Sequence, residues 1–218
     1  MPDRAAKTAL LDQFARVGKA LGSGARLELL DLLAQGERTV EGLARAAGLG
    51  MTTASAHLQT LKRANLVATR REGTKVYYRL AGVDVAALLE LLRSVAGQHL
   101  PDVAAARDAY LGPADTGEVT RAELLRRVRS GRVTVLDVRP REEYAAGHVP
   151  DAVCIPLEEL PERLGELPAD QEIVAYCRGA YCVLAHDAVR LLTAAGRRAL
   201  RLEDGMLEWR LAELPVAS

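Results

Sequence analysis

Residues 111–118, "LGPADTGE", separate two stretches whose apolar residues repeat with different periods. Before them, leucines and alanines fall three and four apart, the spacing that lines one face of an α-helix. After them, short β-rich runs alternate with helical stretches, the grammar of a mainly parallel sheet covered by helices. The eight residues themselves have Gly, Pro, Asp and Thr and no period, and they read as a linker. With 218 residues there is room for two small domains. The expectation is one over residues 1–110 and another over 119–218.

In the first half, Leu10, Phe14, Val17 and Leu21 predict a helix over 9–21, and Leu27, Leu30 and Leu33 a second over 24–34, ended by Gly36. A third, over 39–47, has Thr39 as its N-cap and stops at Gly48. "MTTASAHLQTLKRAN" gives a fourth, with Ala54, Leu58 and Leu61 facing inward. "LVATRREGTKVYYRL" then reads as a hairpin with arms Leu66–Arg70 and Lys75–Leu80 around a polar tip. Residues 84–110 read as one long helix. Charge is split in the same sense: residues 1–80 hold 13 Lys and Arg against 7 Asp and Glu, whereas 81–218 hold 16 against 22. The basic half is the candidate for a polyanionic partner. A helix fits the DNA major groove, and Lys62, Arg63, Arg70, Arg71 and Lys75 supply phosphate contacts at its end and on the hairpin.

"RLELLDLLAQGERTVEGLARAAGLGMTTASAHLQTLKRANLVATRREGTKVYYRL" resembles the ArsR-type winged helix-turn-helix repressors, over residues 9–110. The resemblance implies operator DNA as partner, a homodimer built on the first and last helices, and repression relieved by an inducer. It places the base-reading face on Met51, Thr52, Ser55 and Ala56, with Thr53 and Gln59 alongside. Met51 and Ala56 are apolar where the family often has polar groups. His57 has two readings, a phosphate contact and, preferred, a half-buried histidine bracing the turn. Many such repressors sense metals through a cysteine pair on the third helix or an Asp/His set on the last. Here the third helix has no cysteine, and the last offers Asp84 and a single His99. No metal and no other cofactor is expected, so the signal is expected to enter elsewhere.

In the second half, "IVAYCRGAYCV" holds two of the chain's three cysteines. Three is too few, and odd, for a disulfide scaffold. With no signal peptide in "MPDRAAKTALLDQFARVGKAL" and no apolar run near the ~20 residues that cross a bilayer, a reducing cytoplasm is the expected location. Cys177 ends a predicted strand, at the sheet edge where ligands bind in open α/β folds. Gly179 is expected to permit a tight turn. A helix from Val183 aims its first amides at the loop, which favours an anion, and Arg178 adds positive charge. These conditions lower a thiol's pKa, so Cys177 is the candidate nucleophile. Cys154, in "AVCIP", reads as a small core hydrophobe.

"LDVRPREEYAAGHVPDAVCIPL", "IVAYCRGAYCV" and "LEDGMLEW", in that order over residues 118–214, resemble a rhodanese domain. The resemblance implies an α/β sulfurtransferase fold with a mainly parallel sheet. It implies a persulfide carried on Cys177, an active-site loop of Arg178, Gly179, Ala180, Tyr181 and Cys182, and a sulfane donor such as thiosulfate or polysulfide. Asp137 and Arg139, with Glu143 and His148 behind, would brace the loop, and of these only Asp137 is expected to be buried. Cys182 has two readings, a resolving thiol that closes a disulfide on Cys177 or a loop position whose amide alone matters. A metal site of Cys177, Cys182 and His186 lacks a fourth ligand. The related cell-cycle phosphatases need an arginine six residues after the cysteine, where this chain has Val183. The expectation is a DNA-binding repressor whose second domain senses or processes reactive sulfur. The alternatives are a constitutive sulfurtransferase with an accessory DNA-binding module, and a thiol–disulfide oxidant sensor.

Overall fold

The computed structural model describes residues 3–113 and 115–218. They form two compact units, one ending at Leu89 and the other starting at Glu90.

In the first unit, α1 (Arg4–Leu21) starts on Asp3, whose carboxylate accepts the Ala5 amide. It begins five residues before its predicted start, because Asp3 supplies the cap. α2 (Gly24–Gln35) buries Leu29, Leu30, Leu32 and Leu33. β1 (Arg38–Thr39) leads into α3 (Val40–Ala46), where Thr39 Oγ1 accepts the Gly42 amide at 3.1 Å, the predicted cap. α4 (Met51–Arg63) turns Ala54, Leu58 and Leu61 into the core, all fully buried, as their spacing predicts. β2 (Val67–Glu72) and β3 (Lys75–Leu80) form the hairpin, and β1 adds antiparallel to β3. The two-residue turn places Gly73 at φ +58°, a region where a side chain is strained.

The helix predicted over 84–110 is two helices. α5 (Val83–His99) stops before Pro101, and α6 (Asp102–Leu111) begins after it. Pro101 has no amide proton, and its ring clashes with the preceding turn of an unbroken helix. The stretch read as a linker belongs to the second unit. Arg190 donates to the Leu111 and Pro113 carbonyls at 2.9 and 3.1 Å and pairs with Asp115.

The second unit is a five-stranded sheet, every pairing parallel, in the order β4 (Glu118–Val119), β8 (Ala199–Leu202), β7 (Glu172–Tyr176), β5 (Val133–Asp137), β6 (Val153–Cys154). Between strands run α7 (Arg121–Arg129), α8 (Arg141–Ala145), α9 (Leu160–Arg163, flanked by 3₁₀ turns), α10 (Val183–Ala194) and, last, α11 (Met206–Leu211). β4 and α8 are too short to leave a period in the sequence. Alternate residues of β7 serve two cores: Ile173 and Ala175 pack with Leu136, Val189 and Leu192, and Val174 and Tyr176 with Val135, Met206 and Trp209.

One buried polar cluster joins the C-terminal ends of the central strands. Asp137, ending β5, accepts from the Arg139 amide at 3.0 Å and from its guanidinium at 2.6 Å, and from the Tyr176 hydroxyl. Arg139 also donates to the Gly147 carbonyl at 2.9 Å, and the Tyr176 hydroxyl accepts the Val149 amide at 3.1 Å. Both charged side chains are wholly buried, which corrects the expectation that only Asp137 would be. Burial and the neighbouring Asp137 carboxylate push the Tyr176 hydroxyl far above its ordinary pKa, so it stays a donor. Removing one partner of a buried pair strands the other charge, at a cost of about 3–5 kcal/mol. Asp137→Asn is therefore expected to lower the unfolding free energy of the second unit by about that much, in urea titrations followed by Trp209, the only tryptophan.

Candidate functional site

Strand β7 ends at Tyr176, so Cys177 is the first residue beyond the sheet, and the loop 177–182 runs into α10. Cys177 is 2% exposed. Its thiol donates to the Cys182 carbonyl at 3.3 Å and makes a longer contact, 3.8 Å, with that of Gly179, while the amides of Ala185 and Gly179 approach the sulfur. Cys182 is half-buried, and its side chain lies beside that of Cys177. All three cysteines are free thiols.

The electrostatics reverse the sequence expectation. Burial pushes the Cys177 thiol well above its ordinary pKa, and the neighbouring Cys182 adds to that. The neighbouring Cys177 thiol lowers Cys182, with nearby amides and Arg178 contributing. Burial therefore opposes the Cys177 thiolate, and the neighbours of Cys182 favour that of Cys182. The amides that were to lower Cys177 do approach it, but desolvation outweighs them.

Arg178 was expected to lend its charge to the sulfur. Its guanidinium instead straddles the Glu143 carboxylate at 2.7–3.0 Å, and Glu143 is 1% exposed. So Glu143, on α8, is buried too, and it ties the loop to α8. His148 stacks on Tyr144 with ring centres 3.6 Å apart. Cys154 is half-buried, and burial raises its thiol pKa.

The loop rests on the start of α11. The Met206 amide donates to the Cys177 carbonyl at 2.9 Å and the Leu207 amide to that of Arg178 at 3.0 Å. A Cβ on Gly205 would lie 2.2 Å from the Gly179 nitrogen, and one on Gly179 3.0 Å from a Glu208 carboxylate oxygen. Close approach of main chain thus requires glycine at Gly205, while a side chain on Gly179 would press on Glu208; the φ of Gly179 is not positive. Glu208, 8% exposed, accepts the Ala180 amide at 3.3 Å and the Gly205 amide at 2.9 Å. Burial raises its pKa against the pull of those amides. The sequence reading missed Glu208. The signal was Gly205 followed three residues on by an acid, the spacing with which a helix's third residue reaches back to its N-cap amide.

His186 lies on the buried side of α10 with neither ring nitrogen hydrogen-bonded, and desolvation lowers its pKa. Among the described residues, no three His, Cys, Asp or Glu side chains gather as a metal site.

On α4 in the first unit, Met51, Thr52, Thr53, Ala56 and Gln59 are exposed, and Ser55 and His57 half-buried. Gln59 donates to the Tyr78 hydroxyl at 3.1 Å, and Lys62 to Thr69 Oγ1 at 3.1 Å, so both tie the helix to the hairpin. Arg63 is exposed. Arg70 is committed to Glu37 and Glu72, at 2.5 and 2.6 Å, and lies over the Tyr77 ring. A phosphate there must displace a carboxylate. Arg71 and Lys75 are exposed, with no ion-pair partner among the described residues.

The models for bacterial regulatory proteins of the arsR family and for the rhodanese-like domain match residues 23–69 and 120–212. The HTH-type transcriptional regulator Rv0324 of Mycobacterium tuberculosis is 62% identical over 210 residues, which is 96% of this chain and 92% of that protein. A sulfurtransferase of Allochromatium vinosum is 33% identical over 87 residues, 39% of this chain and 79% of that protein. A solution structure of the homodimeric winged helix-turn-helix DNA-binding domain (fragment 1–100) of Mb0332 from Mycobacterium bovis is 62% identical. It covers 46% of this chain and 91% of that one, with a TM-score of 0.43. The chain belongs to the ArsR-type transcriptional regulators that carry a rhodanese-like domain. In this regulator no helix among the described residues is long and apolar enough to cross a membrane.

Thiolate, not thiol, is the species that alkylates. Iodoacetamide at neutral pH is therefore expected to label Cys182, the less buried thiol, faster than Cys177. Raising the pH should bring Cys177 up last, read by peptide mass spectrometry against time.

Proposed function

We propose that this regulator is a homodimeric repressor whose operator affinity is set by sulfur chemistry at Cys177 and Cys182. The observation that carries the reading is the pair of neighbouring thiols, Cys177 and Cys182, on the loop that runs into α10. They sit in a chain whose α3 has no cysteine to sense a metal. The chemistry balances with a sulfane donor alone. Cys177, once it has given up its proton, attacks the sulfane sulfur of thiosulfate or a polysulfide, and sulfite or a shorter polysulfide leaves. The Cys182 thiolate then attacks Cys177 Sγ, the persulfide bond breaks, and hydrosulfide leaves a Cys177–Cys182 disulfide. A persulfide changes one atom. A disulfide changes the loop and the first turn of α10, so it is the stronger switch.

On the DNA side, α4 enters the major groove, with Thr52 and Ser55 at base edges and Arg71 and Lys75 on phosphates. Leu10, Leu11 and Phe14 of α1 and Leu91 and Val95 of α5 are exposed apolar residues, and they suit a second copy of the chain.

The test is fluorescence anisotropy with an operator selected from random duplexes, comparing reduced and polysulfide-treated protein. Treatment is expected to weaken binding by about 5–150-fold, the range of ordinary allosteric coupling, and Cys177→Ser should abolish the response. A response that survives in Cys182→Ser would assign the switch to the persulfide itself. Equal affinity before and after treatment would leave a constitutive sulfurtransferase. Lys75→Ala should weaken all duplexes alike and flatten the salt slope by about one unit.

A further inference from the structure

Neither family model reaches residues 83–111, yet the structure puts a cavity there. It has a volume of about 340 Å³ and lies wholly within the second unit. Glu90, Ser94 and Gln98 of α5 and Arg107 of α6 form one side, and Ala180 and Tyr181 of the cysteine loop form another.

Its charges are unbalanced in a specific way. One Glu90 carboxylate oxygen is buried with no hydrogen-bond partner. Glu208, beneath the same loop, is close enough for its carboxylate to feel Glu90, and its own hydrogen bonds come from backbone amides. A buried carboxylate oxygen without a donor is costly, and an ammonium group relieves it. Arg107 offers the opposite charge. Two of its nitrogens hold the adjacent Asp108, both residues at least half exposed, and the third has no hydrogen bond among the described residues. Ser94 and Gln98 add neutral donors and acceptors between them.

We propose that this cavity binds a small thiol with an amino-acid head group, its ammonium on Glu90 and its carboxylate on Arg107. Its sulfur then lies toward the cysteine loop. The site deepens the function proposed above by naming the acceptor class, and in that role it rests on that reading. The acceptor thiolate attacks the outer sulfur of the Cys177 persulfide, a new S–S bond forms on the acceptor, and the electron pair of the broken bond stays on Cys177. The acceptor leaves as its persulfide, and no oxidant or reductant is consumed. This step competes with closure of the Cys177–Cys182 disulfide, so the acceptor resets the pair without a net redox change.

Binding is measured by calorimetry on the full-length Cys177→Ser protein, which cannot form the persulfide, so the result is independent of whether Cys177 carries sulfur. The probes are L-cysteine, cysteamine, which lacks the carboxylate, and 3-mercaptopropionate, which lacks the ammonium. Cysteine is expected to bind about tenfold more tightly than either, the worth of one charge-assisted hydrogen bond. Glu90→Gln should weaken cysteine and cysteamine by about that factor and leave 3-mercaptopropionate unchanged. Arg107→Gln should weaken cysteine and 3-mercaptopropionate and spare cysteamine. No binding of cysteine, or three probes of equal affinity on the unsubstituted cavity, overturns the proposal. So do variants that weaken all three probes alike or none.

Discussion

The Asp137–Arg139 pair is the contact on which the sulfur site depends. It is wholly buried, and it holds three things at once: the end of β5, the Gly147 turn, and Tyr176, the residue before Cys177. Burying two charges is costly unless geometry and further hydrogen bonds compensate. Here the carboxylate accepts an amide, a guanidinium and a hydroxyl, and the guanidinium also reaches a carbonyl. The position of Cys177 is thereby set from its N-terminal side by a rigid polar cluster, not by packing alone.

From the other side the loop is held by backbone. α11 offers two amides to the carbonyls of Cys177 and Arg178, and Glu208 takes the Ala180 amide. With Arg178 bound to Glu143 as well, most polar groups of the loop are engaged before any substrate arrives. The consequence for reactivity is desolvation. A sulfur placed this deep is a poor thiolate until a ligand or an opening motion changes its surroundings. Cys182, only half-buried, is the thiol more open to solvent-borne chemistry.

Much of this was legible in the sequence. The spacing of Ala54, Leu58 and Leu61 places the inward face of α4, and Thr39 its neighbour's cap. "IVAY" with a cysteine after it marks the central strand and the site at its end. Alternation of strand and helix gives the parallel sheet. What escaped did so for physical reasons. β4, two residues long, and α8, five, are held by tertiary contacts and have no period of their own. Arg139 and Glu143 belong to residue types that are seldom fully buried, and only their partners, distant in sequence or across a turn, make burial tolerable. Arg178 has the right charge for the sulfur, but a carboxylate 35 positions earlier claims it. The direction of the Cys177 pKa depends on a balance between amides and desolvation that no spacing encodes. Pro101 was visible and still read through, because the leucine and alanine pattern on both sides is helical.

The contact between Gly205 and Gly179 has a consequence for how this site can vary. Both positions lie where an added methyl group would meet main chain or the Glu208 carboxylate. The underside of the loop is therefore closed to side-chain substitution, and drift in sequence there is penalised whatever the substrate.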